Sequence, residues 1–228
     1  MSSRFFRRAA LAAVLAAGLA ASGCSSSPAG SKAASKLMPD VQAAAKGATS
    51  VHMAGSVNQG SQTATINMSF SGNSVAGTVG LNDASFDLLS LNGNTYIKLD
   101  SAFLKYAKAP ASACATICGK YVELPASSAS QITGSLSMQQ LVHEVFSNKN
   151  MSSAAGSGCV FSPATVNGQS VLQCRQGAYA VDVAAHGKPY LVYFTGPHGE
   201  HIAFSDWNSV ALPAAPPASQ VISLSKLG

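Results

Sequence analysis

Apolar and polar residues alternate with a period of two through most of this chain. In Thr63-Ala-Thr-Ile-Asn-Met-Ser-Phe70, Ala64, Ile66, Met68 and Phe70 share one face while Thr63, Thr65, Asn67 and Ser69 share the other, which is the pattern of a strand with one buried and one wet side. Comparable runs cover 51–57, 75–81, 85–91, 95–99, 120–124, 160–166, 170–175, 179–184, 190–195 and 201–207. Turn signals separate them, among them Gln59-Gly60, Ser71-Gly72-Asn73, Asn82-Asp83, Asn92-Gly93-Asn94, Asn167-Gly168 and His186-Gly187. The pattern therefore predicts an antiparallel meander of about 10 to 11 strands.

Two stretches change period. Residues 40–47 read as a short Ala-rich helix. In the second, Met138, Leu141, Val142, Val145 and Phe146 fall at i, i+3, i+4, i+7 and i+8 behind a Ser137-x-x-Gln140 capping box, so they form one apolar stripe on a capped helix. A sheet with one apolar face and a helix with one apolar stripe bury each other's surface. The expected fold class is α+β, a curved antiparallel sheet with helices over its concave face.

The N-terminus follows a different logic. Arg4, Arg7 and Arg8 precede an uncharged apolar run from Ala9 to Ala21. At 1.5 Å per residue that run spans roughly 20 Å, too little for a hydrocarbon core of about 30 Å, and it reads as a signal-peptide core. Ala21-Ser22-Gly23-Cys24 follows and resembles the bacterial lipobox, in which small side chains admit the backbone to a peptidase and the thiol receives a diacylglycerol. Cys24 is thus the expected lipidation site and first mature residue, and its acyl chains, palmitate among them, a lasting anchor. The expected layout is a signal peptide at 1–23, a flexible tether at 24–36, one domain at 37–211 and a Pro/Ala-rich tail at 212–228. The place of work is the extracytoplasmic face of the cell membrane.

Composition narrows the partners. Removing residues 1–23 leaves eleven basic against nine acidic side chains, a formal charge of +2. No Lys/Arg stripe exists to neutralise a row of phosphates, so nucleic acid is not an expected partner. Charged residues supply only 10% of the chain, well below the usual quarter or so, and the surface should be hydroxyl-rich. A monomer is expected.

Four cysteines remain beyond Cys24, and an even number in an exported domain implies disulfides. Three connectivities are open, of which local pairing, Cys114 with Cys118 and Cys159 with Cys174, is the simplest. A two-residue Asn167-Gly168 turn sets Phe161 opposite Cys174 and leaves Cys159 two residues out of register, a gap that a bulge at Ser162-Pro163 would close. Cys114 and Cys118 have three intervening residues and sit in a predicted loop, unlike a redox Cys-x-x-Cys pair at a helix start.

Catalytic signatures are missing. There is no Gly-x-Ser-x-Gly, the one Ser-x-x-Lys (Ser223 to Lys226) lies in the tail, and no pair of carboxylates is placed on one face, so nucleophilic and general acid/base chemistry lack support. Pro197-His198-Gly199-Glu200-His201 holds three donors in a hairpin turn with no third histidine nearby, which reads as a solvated turn rather than a metal site. His52 and His143 are lone. The expectation is a protein that is not an enzyme, with no cofactor and no metal.

The order of elements resembles the actinobacterial LppX/LprG type of lipoprotein over roughly 36–210. The resemblance rests on Ser50-Val51-His52 opening the first long strand, Gly93-Asn94-Thr95-Tyr96, the Val166-Asn167-Gly168-Gln169 hairpin and the closing Ser205-Asp206-Trp207. It implies a half-barrel like that of the LolA/LolB carriers, with an apolar cavity that binds or carries a lipid or lipoglycan. Ile66, Met68, Phe70, Phe86, Leu88, Tyr96, Leu141, Val145 and Phe146 would then contact the ligand. The same side chains suit an ordinary sheet-and-helix core, and a closed extracytoplasmic protein-interaction module without a cavity is the alternative.

Overall fold

The computed structural model describes residues 30–59, 62–133, 137–147 and 158–223. The expected signal peptide and Cys24 lie outside them. Lys32–Ala33 (β1) leads into the helix Ala34–Lys46 (α1), and five hairpin-linked strands follow: Ser50–Gln59 (β2), Gln62–Ser71 (β3), Ser74–Leu81 (β4), Ala84–Leu91 (β5) and Asn94–Leu99 (β6). Helices Ser101–Tyr106 (α2) and Ala111–Ile117 (α3) precede Tyr121–Glu123 (β7), and Ala126–Thr133 (α4) and Met138–Ser147 (α5) come after it. A second meander comprises Val160–Val166 (β8), Gln169–Gln176 (β9), Tyr179–Ala184 (β10), Leu191–Thr195 (β11) and His201–Ser205 (β12), and Val221–Ser223 (β13) is the last strand.

All thirteen strands join one curved, unclosed sheet in the order β1-β8-β9-β10-β11-β12-β2-β3-β4-β5-β6-β7-β13. The α+β class and the concave face covered by helices agree with the sequence pattern. Two details do not. The strands exceed the expected 10 to 11 because β1 and β13 have two and three residues, too few for alternation to register. The sheet is also mixed, since β13 pairs with β7 in parallel.

Register explains where the core sits. The two-residue turns Asn92-Gly93 and Asn167-Gly168 have positive φ at both positions (52° and 86°, 50° and 78°), the conformation that matches strand twist and locks pairing. One row of partners, Met53, Met68, Gly77, Leu88, Ile97 and Val122, crosses six strands. Its face and its continuation through Phe204, Phe194, Val181 and Cys174 pack against α1 and α5 in one apolar cluster.

Helix α1 begins six residues before the predicted start at Asp40. It buries Ala34, Leu37, Val41 and Ala45, and that stripe outweighs Pro39, whose ring is exposed and which costs one backbone donor. Ordered structure therefore extends into the stretch expected to be tether. The start of α5 matches expectation, with Ser137 Oγ accepting from the Gln140 N–H at 3.1 Å. Helices α2, α3 and α4 go beyond the sequence pattern. Asp100 caps α2 by accepting from the Phe103 N–H at 2.6 Å, and α3 carries the Cys114–Cys118 disulfide, with Cys118 as its C-cap. Cys114 and Cys118 are thus one helical turn apart and not in a loop.

The second disulfide joins Cys159 and Cys174 with Cα atoms 6.0 Å apart. No bulge is required. Pairing from Val166↔Gln169 to Ser162↔Gln173 is regular, and Cys159 bridges diagonally from just before β8, within the reach of a disulfide.

After β12 the chain crosses the back of the sheet. Asn208 N–H donates to the Ser50 carbonyl at 2.9 Å, Val210 N–H to Ser50 Oγ at 3.1 Å, and Leu212 packs with Ala76, Leu89 and Tyr96. The predicted tail at 212–228 thus contributes a strap and a strand. Strand β12 runs to the end of the sheet where β2 begins, and β7 begins nearer the other, so the returning chain rises along the strands as it crosses them and enters β13 parallel to β7.

Candidate functional site

The strands present two ends. At one end stand the start of β2, the β3–β4, β5–β6 and β8–β9 turns and the end of β12; at the other, the β2–β3 and β4–β5 hairpins and α2. All four motifs behind the family resemblance, at 50–52, 93–96, 166–169 and 205–207, fall at the first end. Buried hydroxyls gather there too, with Ser90 Oγ and Thr95 Oγ1 3.1 Å apart and Ser50 accepting from the strap.

A cleft of about 720 Å³ opens at this first end, between the last turns of α1, the first turns of α5 and the β3–β4 turn. Gly72 joins its walls. The Gly72 N–H donates to the Thr49 carbonyl at 3.1 Å, and the Gly72 carbonyl accepts from the Met138 N–H at 3.1 Å. With φ of +56° and nothing within 4 Å of where a Cβ would lie, Gly72 serves the turn rather than close packing. The floor is apolar, made of Ala45, Ala48, Met138 and Val142, of which Met138 and Val142 are 3% and 5% exposed. Gln42, Lys46, Thr49, Asn73, Gln139 and His143 form a polar rim, and no carboxylate lines the cleft among the described residues.

A smaller depression of about 280 Å³, bordered by Val57, Ala64, Leu81 and Tyr106, lies at the opposite end of β2–β4. Between the two openings the concave face is filled. Val51, Met53, Met68, Phe70 and Leu88 are all buried there.

The nine expected ligand contacts accordingly separate. Met68, Phe70 and Leu88 are fully packed core. Ile66, Phe86, Leu141, Val145 and Phe146 are half-buried against the same cluster, with Phe86 meeting Phe103 of α2 edge-on at 5.2 Å. Tyr96 lies on the back face opposite Leu89 and packs with Ala76 beneath the strap, apart from the other eight. None of the nine lines the larger cleft. Its apolar floor is half visible in the sequence, since Met138 and Val142 belong to the α5 stripe. The rim is not, because lone polar residues on three separate elements carry no pattern.

The His198-Gly199-Glu200-His201 donors do not converge. The Glu200 carboxylate is buried and accepts from the His198 backbone N–H at 2.8 Å, whereas His201 stacks on Tyr193 with centroids 5.6 Å apart. On the back face Asp182 is 3% exposed, and burial pushes its carboxyl above the usual carboxylate range, opposed in part by the hydrogen bond from Gln173 and by Arg175 and His201. His52 on that face shares a 3.0 Å contact with Ser69 Oγ.

No family model matches the chain, and no curated protein matches it either. Among solved structures it is similar to one of the Pseudomonas aeruginosa MucA/MucB complex, at 14% identity, over 82% of this chain and 59% of that one, with a TM-score of 0.30. The chain thus spans less than two thirds of that neighbour's length, and a likeness this low bears on neither fold nor function. The LppX/LprG resemblance rests on the sequence motifs alone.

Proposed function

We propose that this protein is a cell-envelope lipoprotein, anchored through diacylglyceryl-Cys24, that binds or carries a lipid or lipoglycan in single copy and without covalent chemistry. The 720 Å³ cleft carries the reading. Its volume falls in the range of about 300 to 1,000 Å³ typical of small-molecule sites, and an apolar floor beneath a polar rim suits a ligand with one greasy and one hydrated part. The half-buried Ile66, Phe86, Leu141, Val145 and Phe146 lie on the same concave side, so an acyl chain has further apolar surface available beyond the floor.

The filled middle of the concave face favours a second reading, a closed extracytoplasmic module that offers its surface to another protein. Native mass spectrometry of the full chain from its own membrane separates the two. A co-purifying lipid adduct is the expected result, and a clean apo mass that also takes up no fluorescent fatty acid leaves only the closed module. The anchor is tested apart from the ligand: Cys24→Ala should abolish labelling by a palmitate analogue and release the protein to the medium, and unlabelled protein that stays membrane-bound would contradict it.

A further inference from the structure

We infer that the cleft selects amphiphiles with an anionic headgroup, held by Lys46; this rests on the amphiphile-binding reading above. Lys46 in the last turn of α1 is exposed at the rim and is the only fixed charge among the described lining residues. His143 stands across from it on α5, adding a second nitrogen base and no negative charge. With Ala45 and Ala48 on either side of Lys46 and Met138 and Val142 facing them, a charged oxygen at the ammonium leaves its chain directed along the apolar floor. An anionic headgroup there gains a charge-assisted hydrogen bond with net attraction, whereas the phosphate of a zwitterionic headgroup makes the same bond against repulsion between its own cation and Lys46, and a neutral headgroup makes only a weaker one.

The position of the cleft agrees with such a source. Strand β1 runs antiparallel to β8, with Lys32 opposite Phe161 and Ala33 opposite Val160, and Ser31 Oγ lies 3.3 Å from Ser162 Oγ. The chain therefore approaches β1 from the end of the sheet at which the cleft opens. Ser31 lies seven positions after Cys24, a reach of at most about 25 Å, so an anchored chain holds that end within a short distance of the bilayer surface.

The test uses the full, lipidated chain held in amphipol and titrated calorimetrically with octanoyl lysophosphatidylglycerol and octanoyl lysophosphatidylcholine, which share a chain and differ in net charge. The anionic lipid should bind about tenfold tighter. Lys46→Gln should bring the two to near parity, whereas Lys36→Gln, on the same helix but outside the cleft, should leave the preference intact. Glycerol 3-phosphate alone should bind at least tenfold more weakly than the anionic lysolipid; equal binding would mark a free-phosphate site and overturn the inference. Equal affinity for the two lysolipids, or a preference that survives Lys46→Gln, overturns it while leaving amphiphile binding in place. Failure of both lysolipids to bind overturns the amphiphile reading itself.

Discussion

At the scale of single residues, space and charge make separable demands. Gly77 sits in the core-facing row between Met68 and Leu88, and a Cβ built on it would lie 2.1 Å from the Asn67 carbonyl oxygen. Backbone cannot yield as a side chain can, so Gly77→Ala should cost about 2 kcal/mol or more. Gly80→Ala on the same strand meets only the Thr65 hydroxyl, which rotates away, and should cost clearly less in urea unfolding. Equal midpoints for the two variants would remove the claim that the neighbouring backbone leaves no room for a side chain at Gly77. Asp182 concerns charge. Its folded pKa is raised, so the native state holds a proton that the unfolded chain releases sooner. The stability this contributes is present below the unfolded value and lost as pH rises through the folded one. Asp182→Asn keeps an oxygen for the Gln173 amide and should melt higher than the parent at pH 7, the gap closing towards pH 4. A gap that is absent, or that widens on acidification, would contradict the sign. Residue placement is partly legible in the sequence. The Asn92-Gly93 turn pairs Leu91 with Asn94 and so sets Tyr96 opposite Leu89 on the back face, which turn chemistry and the period of two are enough to specify; apolar character alone groups Tyr96 with the core. The Lys46 and His143 rim is beyond reach, because nothing along the chain marks α1 and α5 as neighbours.

At the scale of elements, length decides what can be read. The ten-residue α5 shows a full stripe and a cap, and each long strand shows its alternation. Helices α2 and α3, of six and seven residues, are well below the roughly 12 to 15 residues that an isolated helix needs to persist on propensity, and here they depend on the Asp100 cap and the Cys114–Cys118 bridge. The two disulfides should therefore differ in effect. Cys159–Cys174 spans 15 residues and joins two buried positions; its loop restricts the unfolded chain by about 3 kcal/mol, against about 2 kcal/mol for a span of four. Cys159→Ser with Cys174→Ser also leaves polar atoms in the core, so this pair should lower the melting temperature markedly more than Cys114→Ser with Cys118→Ser. The smaller loss should appear as local hydrogen exchange in α3, and the reverse order would refute the assignment of core and periphery.

At the scale of the whole molecule, the sheet is two meanders sewn together by pairings no local signal reveals. Strand β12 pairs with β2 across some 150 residues of sequence, and the strap then runs from β12 to β13 across the back of β2 to β7. From Val210, held at Ser50 of β2, six inter-strand steps of about 4.8 Å need roughly 29 Å; residues 210–217 supply about 25 Å in the polyproline geometry that Pro217 adopts with φ −61° and ψ 144°, and the 3-10 turn Ala218–Gln220 about 6 Å more. Proline suits this path because a segment crossing the outside of a sheet has no ladder to donate to. The composition that marks 212–217 as unable to form a strand is thus what fits it to carry the chain across. If the strap closes the back of the sheet, ending the chain at Val210 exposes Ala76, Leu89 and Tyr96, removes Leu212 and Val221 from their cluster, and strips β7 of one of its two partners. Loss of that apolar burial should amount to about 3 kcal/mol and lower the melting temperature by about 6 to 12 °C in a domain of this size, with increased binding of a hydrophobic dye. The milder Leu212→Ser should move both readouts in the same direction by a smaller amount. A tail that merely trailed from a domain ending near residue 211 would change neither, so an unaltered melting temperature in both variants would show that the back face is stable without its strap.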